Sequence, residues 1–450
     1  MTLDRRKFLT GAGLTVAAGA LGGAALASRD GEATARDDDA TDADVPARQA
    51  GAGDWAWVRS QFDLAGDLIH LGLFFLASHP RPVREAIERH RRALDANPLF
   101  YVGSNTRKYE EEAQAAAAEY LGGRAEEVAL TDSTTMGLAL VYQGLPLSAG
   151  QEILTTAHDH YSHHESARLA AERAGATVRR VALFDRFDAI SEDEIVARIA
   201  RALTPRTRVV GVTWVHSSSG LKLPLRRIAE ELARANRGRD ERDRVLLVVD
   251  GVHGLGVEDE TLAETGCDFF VAGTHKWMFG PRGTGVVWAR AETWRSMRPV
   301  IPAFADAPVG AWMRGDEGPR EETRAAWVSP GGFHSFEHRW ALPAAFEFHK
   351  RMGRARVASR IHTLNEQCKE GLAAMRHVKL YTPRGSKLSA GLICFDVEGM
   401  KPFEVTDRLL KRRILATTTP YATSYARLAP CLLNTPEEIE RTLREIRALA

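Results

Sequence analysis

The chain is poor in cysteine, with four in 450 residues, and no two form a CxxC pair. The nearest in sequence are Cys368 and Cys394. Their separation excludes a zinc ribbon and a thioredoxin-type redox motif. A body of this size does not depend on disulfides, so Cys267, Cys368, Cys394 and Cys431 are expected as buried free thiols. Charge of one sign is also lacking. Sixty Lys and Arg against 59 Asp and Glu leave a net +1, unlike the basic balance of a nucleic-acid-binding domain. No nucleic-acid partner is expected. The 38 glycines follow no three-residue period, which excludes a collagen-like chain, and 44% apolar residues exclude a wholly disordered one. No internal repeat is present. Long apolar runs are absent outside the first 27 residues.

That one exception reads as an address. Met1 to Lys7 carries Arg5 and Arg6 next to each other, and Leu9 to Ala27 holds no charge but five glycines. The segment ends Ala25-Leu26-Ala27, a small-x-small cleavage pattern. A glycine-rich stretch is a poor membrane-spanning helix, so no stable span is expected after processing. Arg5-Arg6-x-Phe8-Leu9 resembles a twin-arginine (Tat) signal, which implies recognition by the Tat export machinery and a bacterial periplasmic location. Residues 28–50 hold seven acids, three Arg, one Val and no aromatic. Such a segment buries too little apolar surface to offset its ordering entropy and is expected to be a disordered linker.

The folded body is expected from about Gly53. From Glu110 onward, short apolar runs alternate with amphipathic stretches. Strands are expected near Val128–Leu130, Gln151–Thr155, Thr177–Leu183, Arg208–Trp214, Val245–Val249, Phe269–Ala272 and Gly285–Trp288. Helices are expected between them, among them Met136–Leu145, Ser166–Ala174 and Leu225–Ala235. This is the pattern of an α/β fold with a mostly parallel sheet covered on both faces. After about Gly332 a smaller α+β unit follows. Its first helix, His334–Lys350, is expected to break near Pro343, and its last is capped by Thr435 with Pro436 at the first position. The expected division is residues 51–100 as an N-terminal segment contributing to the small domain, 101–330 as the large domain and 331–450 as the C-terminal small domain.

Chemistry concentrates in Val248-Val249-Asp250-Gly251-Val252-His253 and in Gly273-Thr274-His275-Lys276-Trp277. An acid at the end of a buried strand is costly unless something binds it. The 26 residues from Asp250 to Lys276 leave room for a helix and a return strand, which bring the lysine to the same sheet edge. An apolar, glycine-rich setting favours a neutral, nucleophilic amine. An acid for a pyridinium nitrogen and a lysine for a Schiff base are the groups pyridoxal 5'-phosphate requires. Ser133-Thr134-Thr135, between a strand and a helix, offers N–H groups and hydroxyls to its phosphate. His158-Asp159-His160-Tyr161 offers a flat partner for its ring. His158, His160, His163 and His164 lack the paired ligands of a metal site, and no metal is expected. Trp214, Trp277, Trp327 and Trp340 read as core packing.

These residues carry a resemblance. Asp250-x-x-His253, His275-Lys276-Trp277 with Pro281-x-Gly283, Asn97-Pro98, and Tyr425-Ala426-Arg427 leading to Asn434-Thr435-Pro436 are similar to fold-type I pyridoxal phosphate enzymes of aminotransferase class V, in particular the isopenicillin N epimerase-like branch. The resemblance implies a large domain with a mostly parallel sheet plus a smaller α+β domain. It makes Lys276 the residue that bonds the cofactor and then shuttles the substrate α-proton, and Asp250 the partner of the pyridine nitrogen. His253 and Ser217 fall near the ring's phenolic oxygen. Thr134, Thr135 and His275 fall to the phosphate. His160 is the stacking residue, with Tyr161 its rival. Arg427 pairs with a substrate α-carboxylate, a task suited to guanidinium. A homodimer is implied, with Ser329-Pro330-Gly331-Gly332 as the loop offered to the partner.

The chain departs from the family pattern in places. Gly273 stands where Ser or Asn is common, and Thr274 is offered as the substitute hydroxyl. Leu415–Tyr425 contains no Cys, so the persulfide chemistry of cysteine desulfurases is not expected. The implied activity is aminotransferase- or epimerase-like, at the amino group or α-carbon of an amino acid or peptide. The alternatives are a C–S lyase acting by β-elimination, periplasmic modification of a siderophore-type peptide, and an exported binding protein without catalysis.

Overall fold

A computed structural model describes residues 54–449. The expected leader and linker lie outside the described residues.

Thirteen strands, labelled in chain order, occur among the described residues. A seven-stranded sheet is built from β2 (Val128–Thr131), β3 (Glu152–Thr156), β4 (Thr177–Val181), β5 (Thr207–Thr213), β6 (Leu246–Asp250), β7 (Phe269–Gly273) and β8 (Gly285–Ala289). Their order across the sheet is β2-β8-β7-β6-β5-β3-β4. The β4-β3-β5-β6-β7 run is parallel throughout, and β8 lies antiparallel between β7 and β2. Six strands therefore end at one edge, and β8 starts there.

The strands of the sheet's centre, β5, β6 and β7, are buried at every position because both faces are covered. Along β6, Leu247 and Val249 enter one core with Val210, Val212, Phe270 and Ala272. Leu246 and Val248 enter the other with Val209, Phe269 and Val271. This period-two division leaves no solvent face. Asp250 is thus the first polar side chain that β6 presents, at its carboxyl end.

The second unit holds a four-stranded antiparallel sheet. Its order is β12 (Thr417–Thr418), β13 (Ala426–Leu428), β10 (Ile393–Val397) and β9 (Val378–Leu380). The N-terminal β1 (Ile69–His70) pairs in parallel with β11 (Ile414–Leu415). Ile69 and Leu71 join the same buried cluster as Ile393, Phe395 and Leu428. From there the chain crosses to the large sheet, where the Ala77 amide donates to the His275 carbonyl at 2.9 Å.

The helix expected over His334–Lys350 is two, Phe336–Arg339 and Leu342–Met352, with Pro343 in the first turn of the second. Proline lacks the N–H a continuous helix would need there. The closing helix, Pro436–Arg447, starts as expected: Thr435 accepts from the Glu438 amide, and the Glu438 carboxylate returns to the Thr435 amide. All four cysteines are buried and free. No helix among the described residues is long and apolar enough to cross a membrane.

Candidate active site

Asp250 closes β6 with its side chain inside the protein, 2% exposed. It accepts one hydrogen bond, from the Val252 amide at 3.1 Å. No side-chain cation lies within 4 Å of it among the described residues. Burial raises its pKa, against the pull of His163 and Lys276. The turn that follows runs tight against aromatic faces. A Cβ on Gly251 would lie 2.0 Å from Phe270, and one on Gly254 would lie 2.0 Å from Trp214. Any other residue would push the turn away from the sheet. The turn delivers His253, buried, with its Nε2 3.0 Å from Lys276 Nζ.

The indole of Trp277 donates to His253 Nδ1 at 3.1 Å. Burial, with Lys276 adding to it, drives the His253 pKa well below its usual value. A neutral ring accepting at Nδ1 carries its proton on Nε2. That proton faces the Lys276 amine, whose pKa burial lowers to about 8, with Asp250 opposing and Arg427 adding to the fall. The amine is therefore easily freed of its proton and held in place by a donor. Trp277 is in the core, as its sequence suggests, but it also fixes the histidine tautomer.

The helix Thr134–Gly144 starts beside this loop. Ser133 is its N-cap, accepting from the Met136 amide at 3.1 Å. The Thr134 and Thr135 amides, one and two places into the helix, have no carbonyl a turn earlier to meet. Thr134 Oγ1 accepts from the Gly273 amide at 2.8 Å, which ties this helix start to the end of β7. Thr135 is exposed beside it. A Cβ on Gly273 would sit 2.8 Å from the His275 ring and 3.1 Å from Thr134 Oγ1. Glycine at this position is what lets the two side chains share one small space. Burial lowers the His275 pKa to about 4. The role offered to Thr274 needs correction. Its side chain is fully buried, and its hydroxyl pairs with Thr284 Oγ1 at 2.6 Å and the Thr284 carbonyl at 3.2 Å. It pins the turn to β8 and is spent there.

The histidine-rich run after β3 is divided among four settings. His158 stacks on Phe184 at 4.4 Å. His163 is buried against the Tyr142 hydroxyl at 2.7 Å. His164 Nε2 meets the Thr156 carbonyl at 2.8 Å. His160 caps the helix Tyr161–Ala174, its Nδ1 accepting from the Ser162 amide at 3.3 Å. Its ring meets the Tyr421 ring edge-on at 6.2 Å, next to Ser217. Its rival Tyr161 is 71% exposed. Asp159 braces this wall from behind, accepting from the Thr156 amide at 2.7 Å and the Thr213 amide at 2.9 Å.

Arg427, in the middle of β13, brings the second unit to the site. It is 4% exposed, and its guanidinium lies 4.5 Å over the Phe74 ring. It donates to the Ser217 carbonyl at 2.7 Å, Thr417 Oγ1 at 3.1 Å and the Thr418 carbonyl at 3.4 Å. Ser217 stands next to it. Its hydroxyl is 2.6 Å from the Tyr421 hydroxyl, so it is paired to a phenol of the second unit.

Two residues of the site went unnoticed in the sequence. Phe74 packs against Arg427, His253 and Trp277 together. Its signal was the Leu73–Ala77 apolar run, short and flanked by Gly72 and Ser78. Tyr421 lies six residues before Arg427, in a loop read only for its lack of cysteine.

These residues fit pyridoxal phosphate. A buried carboxylate with one hydrogen bond needs a cationic partner, which a protonated ring nitrogen supplies. A cradle without a Cβ, beside open helix amides, suits a phosphate. Comparison with known proteins points the same way. An aminotransferase class-V family profile matches residues 77–441. The isopenicillin N epimerase of Amycolatopsis lactamdurans is 29% identical over 351 residues, covering 76% of this chain and 84% of that protein. A cysteine desulfurase of Klebsiella pneumoniae is 27% identical over 366 residues, covering 76% and 84%. Among solved structures, the C-DES enzyme with glycine covalently linked to its pyridoxal phosphate superposes with a TM-score of 0.76. That match is at 22% identity and covers 86% of this chain and 98% of that one. The profile spans most of the chain, so the protein belongs to the aminotransferase class-V family, enzymes that work through pyridoxal phosphate on a fold-type I scaffold.

Proposed function

We propose that the protein is an exported enzyme that moves a proton at the α-carbon of an amino acid or peptide, in an aminotransferase- or epimerase-like reaction. The observation that carries this reading is the Lys276 amine. It is desolvated, its pKa lowered to about 8, and it is held 3.0 Å from a histidine whose tautomer is set by Trp277. Asp250 would hold the cofactor's ring nitrogen, His160 would cover its ring, and Thr134, Thr135, Ser133 and His275 would surround its phosphate. Bound there, pyridoxal phosphate supplies an electron-accepting ring adjoining the substrate's α-carbon. Lys276 takes the α-proton and returns it. Arg427 orients the substrate through its carboxylate.

A second reading is β-elimination from a sulfur-bearing amino acid, because cysteine desulfurases of about a quarter identity are among the relatives. The persulfide form of that chemistry is disfavoured here. Every cysteine of the chain is buried, with burial raising each thiol to about 11 or 12. Tyr421 occupies the loop before Arg427. Incubating the loaded enzyme with an amino-acid panel separates these outcomes by product. Stereochemical inversion, or a ketoacid that keeps the substrate's whole side chain, supports the proposal, and pyruvate with released sulfide supports elimination.

Export through the Tat route rests on Arg5-Arg6-x-Phe8-Leu9 and the uncharged stretch to Ala27. Retention in the cytoplasm of an Arg5→Lys/Arg6→Lys chain, with the natural chain found in the periplasm, is the expected result. A homodimer is part of the same proposal. Val300, Ile301, Phe304, Trp312 and Met313 are exposed along one stretch. An Arg107–Asp306 ion pair of 2.8 Å joins it to the helix bearing the exposed Leu99 and Phe100. Ser329, offered to a partner in the sequence reading, accepts from the Leu130 amide of its own chain at 2.9 Å. An apolar patch of this kind marks an association surface. Gel filtration is expected to show a dimer.

A further inference from the structure

The loop that carries Tyr421 is built to hold one side chain in one place. The Thr419 amide donates to the Tyr425 carbonyl at 3.0 Å, and the Tyr425 amide returns to Thr419 Oγ1 at 2.9 Å. Ser424 Oγ closes the turn on the Thr419 carbonyl at 2.7 Å. Tyr425 stacks on Tyr381 at 4.0 Å behind it. Tyr421, near the tip, is half-buried. Its ring meets the His160 ring edge-on at 6.2 Å, and its hydroxyl reaches Ser217 Oγ at 2.6 Å. The phenol thus bridges the wall after β3, the turn after β5 and the second unit.

Two facing hydroxyls share one hydrogen bond and hold two protons. Whichever donates, the other keeps an O–H free to point outward. Neither hydroxyl has another partner among the described residues. Beside this pair lies Arg427. A guanidinium has five N–H groups, and three are spent on neutral oxygens. One N–H on each terminal nitrogen remains, and no carboxylate lies within 4 Å of Arg427 among the described residues. A buried cation without a counter-charge, next to a free O–H, is a set of donors that lacks an acceptor. A carboxylate, with two oxygens and about four lone-pair sites, matches it.

We propose that Tyr421, paired with Ser217, is a substrate-binding residue that donates a third hydrogen bond to the α-carboxylate held by Arg427. The inference rests on the reading of Arg427 as the carboxylate site and adds the phenol as its specificity-determining partner. Tyr421 then selects for a carboxylate over a neutral group at that position, because a substrate without one leaves these donors unpaired.

The test uses the full enzyme loaded with pyridoxal phosphate and reads the change in the cofactor's visible absorbance. The probes are glycine and methylamine, which differ by the carboxylate. Tyr421→Phe is expected to weaken glycine about tenfold, the weight of a hydrogen bond to a charged group, and to leave methylamine unchanged. Ser217→Ala is expected to weaken glycine less, since the phenol's proton is then free to turn outward. Arg427→Ala is expected to weaken glycine most. An unchanged glycine affinity in Tyr421→Phe, with Arg427→Ala still weakened, overturns the role of the phenol and leaves the carboxylate reading standing. Glycine indifferent to both substitutions overturns the carboxylate reading itself. Equal weakening of glycine and methylamine in Tyr421→Phe makes the phenol structural and also overturns the proposal.

Discussion

Replacing Lys276 is expected to make the cofactor-free protein more stable at neutral pH. Lys276 has its pKa lowered from 10.5 to about 8, chiefly by burial. The unfolded chain keeps that proton up to its ordinary pKa, and the native state gives it up earlier. Between the two values the unfolded state binds more protons, so stability rises with pH across that window. Below about 8 the native protein carries the whole cost of a buried ammonium. At 1.36 kcal/mol per pKa unit this is about 3 kcal/mol. Lys276→Met keeps the bulk and removes the charge. The His253 Nε2–H to Nζ hydrogen bond exists only when the amine is neutral, so its loss, about 1 kcal/mol, is felt only at high pH. The net gain is therefore about 3 kcal/mol at pH 7, and above about pH 10.5 the variant is the less stable by about 1 kcal/mol. Urea unfolding of both apoproteins at pH 7 and pH 10, compared by midpoint and slope, measures it. A variant less stable than the natural chain at pH 7, or a difference that does not change with pH, refutes the reasoning.

Three further outcomes follow from the geometry. Asp250→Asn keeps the shape of the strand end and removes its charge. It should fold and still bind cofactor, but turn over roughly a hundredfold or more slower, as stopped-flow proton exchange would show. Gly273→Ala forces a Cβ to within 2.8 Å of His275 and 3.1 Å of Thr134 Oγ1. Cofactor affinity, titrated by absorbance, should fall about tenfold or more, with a smaller change in unfolding midpoint. Glu258 pairs with Lys222 and His362, each at 2.7 Å. Glu258→Ala leaves Lys222 with only the more exposed Glu260, at 3.5 Å, and takes the acceptor from His362, and should cost about 2 kcal/mol in urea unfolding.

Much of the fold was legible because the strands of the large sheet are buried on both faces. Val245–Val249 stands out as an uninterrupted apolar run, and its structural counterpart β6 differs by a single residue at each end. Leu225–Ala235 was placed to the residue, since its apolar positions follow the helical period. Helix starts were read late where polar residues open them, as in Tyr161–Ala174, whose first turn holds Ser and His. The Asp250 and Lys276 positions were readable because a charge at the end of an apolar strand is a local anomaly. Phe74 and Tyr421 were not. Their places depend on β1 pairing with β11 and on the clamp at Thr419, contacts between distant segments that no local pattern announces. Thr274 shows the converse. Its hydroxyl stood next to the right residues in sequence, and a partner ten residues on had already claimed it.

The central claim is that Lys276 is the residue that bonds pyridoxal phosphate. Borohydride reduction of the loaded protein, followed by peptide mass spectrometry, tests it most directly. The cofactor's mass is expected on the peptide containing Lys276 alone, with loss of the visible absorbance, and neither is expected in Lys276→Ala. Cofactor found on another lysine, or on none, contradicts the account.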